Sequence, residues 1–378
     1  MSADHPASGR DVIRILMTAD SVGGVWQYSL DLISALSGQR FQCLLAALGP
    51  SPSDEQRRQA KSIPGLVLAE GRYALEWMTD AWADVDASGK WLLDLQATFD
   101  ADVIHCNGFS HAVLRWGKPV VVVAHSCVRS WWRAVHGRTP GPEWEEYSRR
   151  VRDGLTACDR VIAPSNCMAE AIQGEYRIAS KKISVIHNFT RSEPPDKNTK
   201  APFILAAGRV WDCAKNLELL NRIAPRLEWE ICIAGSTHGP DRSSVPFGNV
   251  TCLGALPRSE LIVSMESAAI FAHPALYEPF GLSVLEAAKA GCCLVLSGIP
   301  SLRELWSDAA VFVNPRDPDA WIFELNRLAR DRKGRERLAS QAQARAGCYA
   351  AAAAVNQYVD LYRSLAGIEE SKAKGAAA

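Results

Sequence analysis

The stretch AAIFAHPALYEPFGLSVLEAAKA, residues 268–290, has the pattern of a strand, a turn and a helix. Its first eight residues are mostly apolar, which is typical of a strand buried on both faces of a parallel sheet. Pro279 cannot continue the strand, and Gly281 allows the backbone to come close to a ligand. A helical pattern then runs to Gly291. The stretch therefore predicts an α/β sheet with a ligand-accessible turn at the end of one strand.

The same alternation of short apolar runs and helical patterns extends over almost the whole chain. Residues 191–202 interrupt it, because they are polar, carry three prolines and lack periodicity, and we predict a linker there. The predicted strands are 12–18, 41–48, 66–71, 102–107, 119–125, 159–164 and 183–188 before the linker, and 203–208, 230–235, 249–254, 268–275, 293–298 and 309–314 after it.

This pattern predicts two Rossmann-like domains, each a doubly wound parallel sheet, facing each other across a cleft. The first domain spans 1–190 and the second spans 203–348. An alanine-rich helix is expected at 349–366, and the tail 367–378 is expected to be disordered. In such sheets, ligands bind at the carboxyl ends of the strands.

Composition excludes several classes of protein. The chain has 378 residues, 48% of them hydrophobic, and a formal net charge of zero. Nucleic acid is not an expected partner, since its phosphates require a basic surface. The first residues lack the layout of a signal peptide, and no apolar run is long enough to span a membrane. Eleven scattered cysteines without a CxxC pattern indicate reduced core thiols in a cytoplasmic protein.

Two glutamates flank the turn after the strand 268–275. Glu278 lies just before the turn, and Glu286 lies about one turn into the helix. The first free N–H groups of that helix form an anion site suited to a diphosphate. Each carboxylate can accept hydrogen bonds from vicinal hydroxyls, one from a sugar and the other from a ribose.

Two cations follow the first strand of the second half. Gly208 is the last residue of that strand, Arg209 directly follows it, and Lys215 comes six residues after the arginine. The guanidinium fork and the ammonium point charge can converge on one diphosphate. They would then neutralise a leaving group as its charge develops.

Two further candidates lie in the first half. The glycine turn at Gly23 and Gly24 follows the first strand and opens a helix, a geometry that also suits phosphate. His125 ends the apolar strand 119–125 and can donate a hydrogen bond to a sugar hydroxyl. A tight structural turn and a histidine without a ligand are the alternatives at these two positions.

In this order and spacing, these elements resemble glycosyltransferase family 4, whose members are retaining enzymes of the GT-B fold. The resemblance extends over essentially the whole chain. It depends on Arg209 with Lys215 and on Glu278 with Glu286, the E-x7-E pattern of the family. One departure is His187-Asn188-Phe189, where many relatives carry Pro-Asn-Gly.

The resemblance implies a role for each of these positions. Arg209 and Lys215 would hold the donor diphosphate, Glu278 the transferred sugar and Glu286 the ribose. Further donor contacts would come from Gly208 and from the backbone amides from Phe280 through Gly281 to Leu282. The loop at Gly23–Gly24 would close over phosphate and acceptor, and His125 would touch the sugar near the reacting carbon. The terminal helix would cross back onto the first domain.

The implied reaction retains the anomeric configuration without a protein nucleophile, because the leaving phosphate accepts the proton of the acceptor. No metal or other cofactor is expected, since the two cations replace a metal ion. Asp100-Ala-Asp102 is predicted to be a structural cap and not a metal motif. Uridine is the base most frequent among such enzymes, so a UDP-sugar is the expected donor.

The acceptor is expected on the first domain, where seven of the twelve tryptophans fall between 77 and 144. Tryptophan suits sugar faces and also membrane interfaces, so a peripheral membrane contact is compatible with this composition. Packing under loops is the alternative for most of these side chains. A glycan, a lipid-linked acceptor or a small molecule would fit. The candidate acceptor residues are Trp77, Asn107, Arg129, Trp132 and His136.

Of three other functions, one is excluded by the sequence and two remain open. An NAD-dependent oxidoreductase would need a G-x-G-x-x-G turn and a later acidic residue, and the sequence has neither. A non-enzymatic nucleotide-sugar-binding protein could use the same fold, because a fold does not determine a function. A nucleotide-sugar hydrolase or epimerase is the closest alternative.

Overall fold

A computed structural model describes residues 12–193, 199–239 and 247–368. It contains a seven-stranded and a six-stranded parallel sheet with helices between the strands, which confirms the predicted fold class. All thirteen predicted strands are present, with bounds that differ by a few residues. They are β1 (Ile13–Asp20), β2 (Phe41–Leu48), β3 (Leu66–Glu70), β4 (Val103–Cys106), β5 (Val120–Val123), β6 (Arg160–Ala163), β7 (Ile183–Val185), β8 (Ala201–Ala207), β9 (Ile231–Ala234), β10 (Thr251–Gly254), β11 (Ala268–His273), β12 (Cys293–Ser297) and β13 (Val311–Val313).

The strand order determines where the loops with the candidate site residues lie. The sheets run β3-β2-β1-β4-β5-β6-β7 and β10-β9-β8-β11-β12-β13, so each half repeats the same doubly wound order. The order reverses between β1 and β4 and between β8 and β11. Loops after these strand pairs diverge and open a crevice at the carboxyl edge of each sheet. The predicted glycine turn, the Arg209–Lys215 segment and the Glu278 turn follow β1, β8 and β11.

The helices alternate with the strands as the sequence predicts. Several begin at side-chain caps: Ser165 accepts from the Met168 N–H, and Asp317 accepts from the Ala320 N–H. The helices are α1 (Gly24–Leu36), α2 (Asp54–Lys61), α3 (Trp82–Phe99), α4 (Val128–His136), α5 (Glu145–Ala157), α6 (Asn166–Tyr176), α7 (Leu217–Ile223), α8 (Arg258–Ser267), α9 (Leu282–Lys289), α10 (Pro300–Trp306), α11 (Pro318–Arg330), α12 (Arg332–Ala346) and α13 (Ala351–Leu365).

The second sheet has an apolar core on each face, because alternate residues of a strand point to opposite sides. Leu205 of β8 and Leu294 of β12 pack with Leu285 of α9 in one cluster. Ile204 and Val295, one position away on the same strands, belong to the opposite cluster with Leu220 and Trp321. Full burial of such side chains stabilises a fold by about 1.5–3 kcal/mol each. Both faces of this sheet are therefore covered.

The contacts of the chain divide it into two compact units. One contains the residues up to Val123, Arg149–Val161 and the segment from Ala352, and the other contains Ala124–Ser148 and Ile162–Ala351. The predicted domain boundaries follow the two sheets and differ from this division. The segment with α4 groups with the second unit because residues from the second half hold both ends of that helix. The Tyr277 hydroxyl bonds to Ser130 at 2.8 Å, and Arg316 donates to the Val135 carbonyl at 2.8 Å.

Helix α13 belongs to the first unit and lies close to the predicted range 349–366. The Tyr358 hydroxyl is 2.5 Å from that of Tyr28, and the Tyr362 hydroxyl is 2.7 Å from His105 Nδ1. Burial lowers the pKa of His105 to about 4, so its ring is neutral and its Nδ1 can accept a hydrogen bond from the Tyr362 hydroxyl. The predicted tail lies outside the described residues from 369 onward.

Two details of the sequence interpretation change. The predicted linker overlaps β8, which begins at Ala201, and its residues 194–198 lie outside the description. Cys252 is exposed and is not a core thiol, because β10 forms an edge of its sheet. Cys213 and Cys348 are exposed as well, so these three do not fit the prediction of core thiols. Cys43 and Cys292 are buried as expected, and burial raises their pKa values to about 12 and about 11. Among the helices described, none combines the length and apolarity needed to cross a bilayer.

Candidate functional site

Hydrogen bonds between two loops of the second unit bring the predicted lysine and glutamate together. The loop after β8 ends in a short 3-10 turn, Cys213–Lys215. The Leu276 N–H donates to the Ala214 carbonyl at 2.7 Å, and the Asn216 side chain donates to the Pro274 carbonyl at 3.0 Å. These bonds fasten the turn to the loop that follows β11. Lys215 consequently lies beside Glu278, although 63 positions separate them along the chain.

Lys215 and Glu278 form a largely buried ion pair. Lys215 Nζ is 2.6 Å from Glu278 Oε2, and the glutamate is 9% exposed. Burial acts to raise the pKa of Glu278, but the Lys215 cation and the His273 N–H together outweigh it and hold that pKa well below its usual range. The carboxylate is therefore ionised at neutral pH. In the part of the chain that the structure describes, its second oxygen, Oε1, receives no hydrogen bond.

His273 is a member of this site that the sequence interpretation missed. It ends β11 and is 1% exposed. Its Nε2 lies 3.1 Å from Glu278 Oε2, the same oxygen that Lys215 contacts. Its Nδ1 is buried without a hydrogen-bond partner among the described residues. A histidine at the carboxyl end of a strand was the signal that selected His125, and it applies equally to His273.

Arg209 lies on the same loop as Lys215 but contacts a different acid. Its Nη2 is 2.7 Å from Asp212 Oδ2, and its guanidinium lies over the Trp211 ring at 5.4 Å from the ring centroid. The side chain remains 37% exposed, which leaves part of the guanidinium accessible to a ligand. Gly208, at the start of this loop, has a φ of +158°, a backbone conformation that favours glycine. The two cations thus share a loop and have separate carboxylate partners.

Glu286 lies in α9 and belongs to a second polar cluster. Arg258, at the start of α8, donates to Glu286 Oε1 from Nε at 2.9 Å, and the hydroxyl of Thr190 is 3.3 Å from the same oxygen. Lys289 donates to the carbonyls of Thr190 and Ser192 at 2.9 and 3.0 Å. Arg258 gave no signal in the sequence, because its partner lies 28 positions away on another helix.

The turn between the two glutamates is held from several sides. The Ser301 hydroxyl donates to the Glu278 carbonyl at 2.5 Å. Gly281 has a φ of +88°, and a Cβ there would lie 3.1 Å from Val284 Cγ2, so glycine fits this position best. The Phe280 side chain is buried against Tyr349, with ring centroids 5.5 Å apart. Only the backbone of Phe280 can therefore serve a ligand, whereas the Leu282 side chain is half-buried.

The first-half candidates lie at the carboxyl ends of β1 and β4. Gly23, with a φ of +93°, and Gly24 are exposed at the start of α1. Trp77 Nε1 donates to Asp20 Oδ2 at 3.2 Å, which places its ring near the end of β1. Asn107 donates to the Thr18 carbonyl at 2.8 Å. The structure therefore gathers these residues within the first unit.

The remaining candidates lie in the segment that groups with the second unit. His125 is half-buried two residues after β5, and α4 follows it. Arg129 Nε is 3.0 Å from Glu175, so this predicted acceptor residue has an acidic partner. The rings of Trp132 and His136 lie 4.4 Å apart. These three predicted acceptor residues share one short helix.

The aspartates near β4 have structural partners. Asp100 ends α3 in the left-handed conformation, and Asp102 accepts from the Arg14 N–H at 2.9 Å. Within 12–193, 199–239 and 247–368, no group of three or more His, Cys, Asp or Glu side chains is arranged to hold a metal ion.

Family models match both halves of the chain. Residues 22–193 match the model described as Glycosyltransferase Family 4, and residues 189–345 match the one described as Glycosyl transferases group 1. The two matches together extend from 22 to 345.

Curated relatives are similar at low identity. The O-antigen chain mannosyltransferase RfbU of Salmonella typhimurium is 28% identical over 45% of this chain and 51% of its own length. A D-inositol 3-phosphate glycosyltransferase of Nocardioides sp. is 23% identical over 66% of this chain and 63% of its own length. The match to RfbU thus spans about half of that relative.

Solved structures are similar over nearly the whole chain. Sucrose-phosphate synthase from Thermosynechococcus elongatus has a TM-score of 0.77 at 19% identity, covering 94% of this chain and 100% of its own. Anabaena HepE in complex with UDP-glucose has a TM-score of 0.72 at 16% identity, covering 93% and 99%. The lipopolysaccharide glycosyltransferase WaaG has a TM-score of 0.70 at 12% identity, covering 93% and 99%. These likenesses show the GT-B fold.

Proposed function

Since the chain belongs to the family 4 glycosyltransferases of the group 1 type, we propose that it moves a sugar from a nucleoside diphosphate to a hydroxyl acceptor with retention of configuration. The observation that carries this proposal is the cluster of Lys215, Glu278 and His273 where the order of the second sheet reverses. An ionised carboxylate with one unoccupied oxygen is an acceptor for sugar hydroxyls. An adjacent ammonium suits the diphosphate of the same donor.

Each polar group of the proposed donor site has one role. Glu278 Oε1 accepts from the transferred sugar, and Lys215 and Arg209 face the diphosphate. The backbone N–H groups at Gly281 and Leu282 assist, since the start of α9 favours negative charge. Glu286 accepts from the ribose while Arg258 holds its other side. Gly208 keeps the backbone close to the phosphates.

The proposed reaction asks the protein for position and charge stabilisation. The bond between the anomeric carbon and the phosphate oxygen breaks while the acceptor oxygen bonds to that carbon on the same face. The acceptor proton passes to the leaving phosphate. Lys215 and Arg209 stabilise the negative charge that develops on the diphosphate, and no metal ion is required for this. His125 donates to a hydroxyl of the sugar near the reacting carbon.

The donor base is inferred from a similar structure, and the acceptor residues from the chemistry of their side chains. The similar Anabaena protein HepE forms a complex with UDP-glucose, which favours a UDP-sugar here as well. The proposed acceptor residues of the first unit are Trp77 and Asn107, with the loop at Gly23 and Gly24. Those of the second unit are Arg129, Trp132 and His136 on α4. Aromatic faces beside cations suit a glycan, a lipid-linked sugar or a small polyol.

A donor screen tests this function. UDP-glucose, ADP-glucose and GDP-mannose are each incubated with the protein and a mixture of glycan, inositol and lipid-linked acceptors, and products are analysed by mass spectrometry and by the anomeric coupling in proton NMR. The proposal predicts an acceptor-dependent product with the anomeric configuration of the donor. Free sugar released equally with and without acceptor would indicate a hydrolase, and no turnover with binding alone would indicate a sensor.

A further inference from the structure

We propose that His273 is a positioning residue for the proposed transfer, which fixes the Glu278 carboxylate so that Oε1 faces the sugar of the donor. This inference deepens the proposed function and rests on it. The two donors to the carboxylate come from different elements, β11 and the turn after β8, and both reach Oε2. The carboxylate therefore has one oxygen held within the protein and one available to a ligand.

The His273 imidazole can orient the Glu278 carboxylate, whereas the Lys215 ammonium cannot. A lysine is a point charge on a flexible stem, so Lys215 alone leaves the carboxylate plane poorly defined. His273 is the last residue of a buried strand, and its ring is stacked on Phe271, with an interplanar angle of 14° and centroids 6.2 Å apart. Its Nε2–H consequently points in one fixed direction. A rigid donor of this kind selects one orientation of the Glu278 carboxylate.

The tautomer follows from the partner. A carboxylate only accepts hydrogen bonds, so Nε2 of His273 carries the proton. Nδ1 is buried and has no partner within the described ranges, a state that is unfavourable for a polar atom. An apolar side chain would fill this site without that cost. Among the residues that the structure describes, what the imidazole adds over an apolar ring is therefore its hydrogen bond to Glu278.

A purely structural role and a positioning role predict different binding data. Glu278 is proposed to contact the sugar and not the nucleotide. If His273 orients Glu278, its loss weakens the binding of the nucleotide sugar and leaves that of the nucleoside diphosphate almost unchanged. If it only supports the fold of the loop, both ligands lose affinity together.

The test compares H273F, H273N and H273Q by calorimetry. The phenylalanine keeps a ring for stacking on Phe271 but has no N–H, the asparagine amide is too short to reach, and the glutamine amide can reach Glu278. The probes are UDP-glucose, ADP-glucose and GDP-mannose with the matching nucleoside diphosphates. H111F is the matched control, because His111 is also buried and bonds to Ser88 at 2.8 Å within the first unit.

We expect H273F and H273N to weaken nucleotide-sugar binding by about tenfold, the equivalent of a hydrogen bond to a charged group, with a change of about twofold or less for the diphosphate. H273Q should recover most of the loss, and H111F should leave the ratio unchanged. Equal losses for both ligands in H273F and H273N, or no loss in either, overturn the inference. A wild-type protein that binds none of the three nucleotide sugars overturns the proposed function, and this inference with it.

Discussion

Replacing Lys215 with alanine should lower the free energy of unfolding, because the buried Glu278 carboxylate loses its cationic partner. The ion pair with Glu278 has an N–O distance of 2.6 Å, and the two side chains are 16% and 11% exposed. Removing one partner of a buried pair typically destabilises a protein by about 3–5 kcal/mol, since the remaining charge is uncompensated. Here His273 still donates to Glu278, and a hydrogen bond to a charged group contributes about 1.5–3 kcal/mol. We therefore expect a loss of about 2–3 kcal/mol at pH 8.

The loss should depend on pH with a defined sign. In the wild type, the pKa of Glu278 is held below its value in the unfolded chain, so the stability that Glu278 contributes is present above the unfolded pKa and is lost as pH falls through the folded one. Without Lys215, burial is opposed only by His273, and the pKa rises. The deficit of K215A relative to the wild type should thus grow as pH increases through this higher pKa.

Thermal unfolding at pH 5 and pH 8 measures this difference. A loss of 1 kcal/mol lowers the Tm of a unit of 150–250 residues by about 2–4 °C, so a decrease of about 4–12 °C is expected at pH 8 and a smaller one at pH 5. K118A is a matched control, because Lys118 pairs with Asp100 at 3.3 Å in a half-exposed ion pair of the first unit, worth at most about 1 kcal/mol. The double variant K215A/E278Q should regain Tm. A deficit that is equal at both pH values, or no recovery in the double variant, would refute the reasoning.

Three further predictions concern the proposed donor site. E278Q should lower turnover by about 100-fold or more while changing nucleoside diphosphate affinity by about threefold or less, because the amide keeps the shape but not the charge; equal losses of both, measured by steady-state kinetics and calorimetry, would argue against a sugar contact. Treatment with EDTA should leave turnover unchanged, since Lys215 and Arg209 supply the positive charge, and activity that returns only on addition of Mg²⁺ would exclude the metal-free mechanism. G281A should lower stability by about 1–2 kcal/mol, because φ is +88° and the new methyl group meets Val284; an unchanged Tm would show that the turn relaxes without strain.

The strands and their order of appearance could be predicted because each is a short apolar run bounded by turn residues. The predicted bounds of β2 match the observed ones, Phe41–Leu48, since Arg40 precedes it and the turn residues Gly49 and Pro50 follow it. Strand β10 shows what an apolar run does not predict. Cys252 lies in an apolar run, but its exposure depends on which strand occupies the edge of the sheet. The pattern of apolar residues in a strand indicates which of its faces are buried, but it does not indicate which strands lie beside it in the sheet.

Site residues could be predicted where a short sequence motif carries them, and they could not be predicted where they depend on contacts between distant elements. Lys215 and Glu278 can be selected from the loops that carry them, and the structure brings them into contact. Their third partner, His273, ends an apolar strand and carries the same local signal as His125, but it was missed because a lone histidine at such a position is usually a core residue. Arg258 escapes notice because its contact with Glu286 joins two helices. Such pairs depend on packing between elements, which one sequence does not encode visibly.

The most direct measurement is a crystal structure of the protein with the nucleotide sugar that the donor screen selects. Our account predicts Glu278 Oε1 at hydrogen-bond distance, ~2.5–3.0 Å, from a hydroxyl of the transferred sugar, with the Lys215 ammonium beside the diphosphate. A donor whose sugar lies away from Glu278, with the Lys215–Glu278–His273 cluster untouched by any part of the ligand, would contradict it.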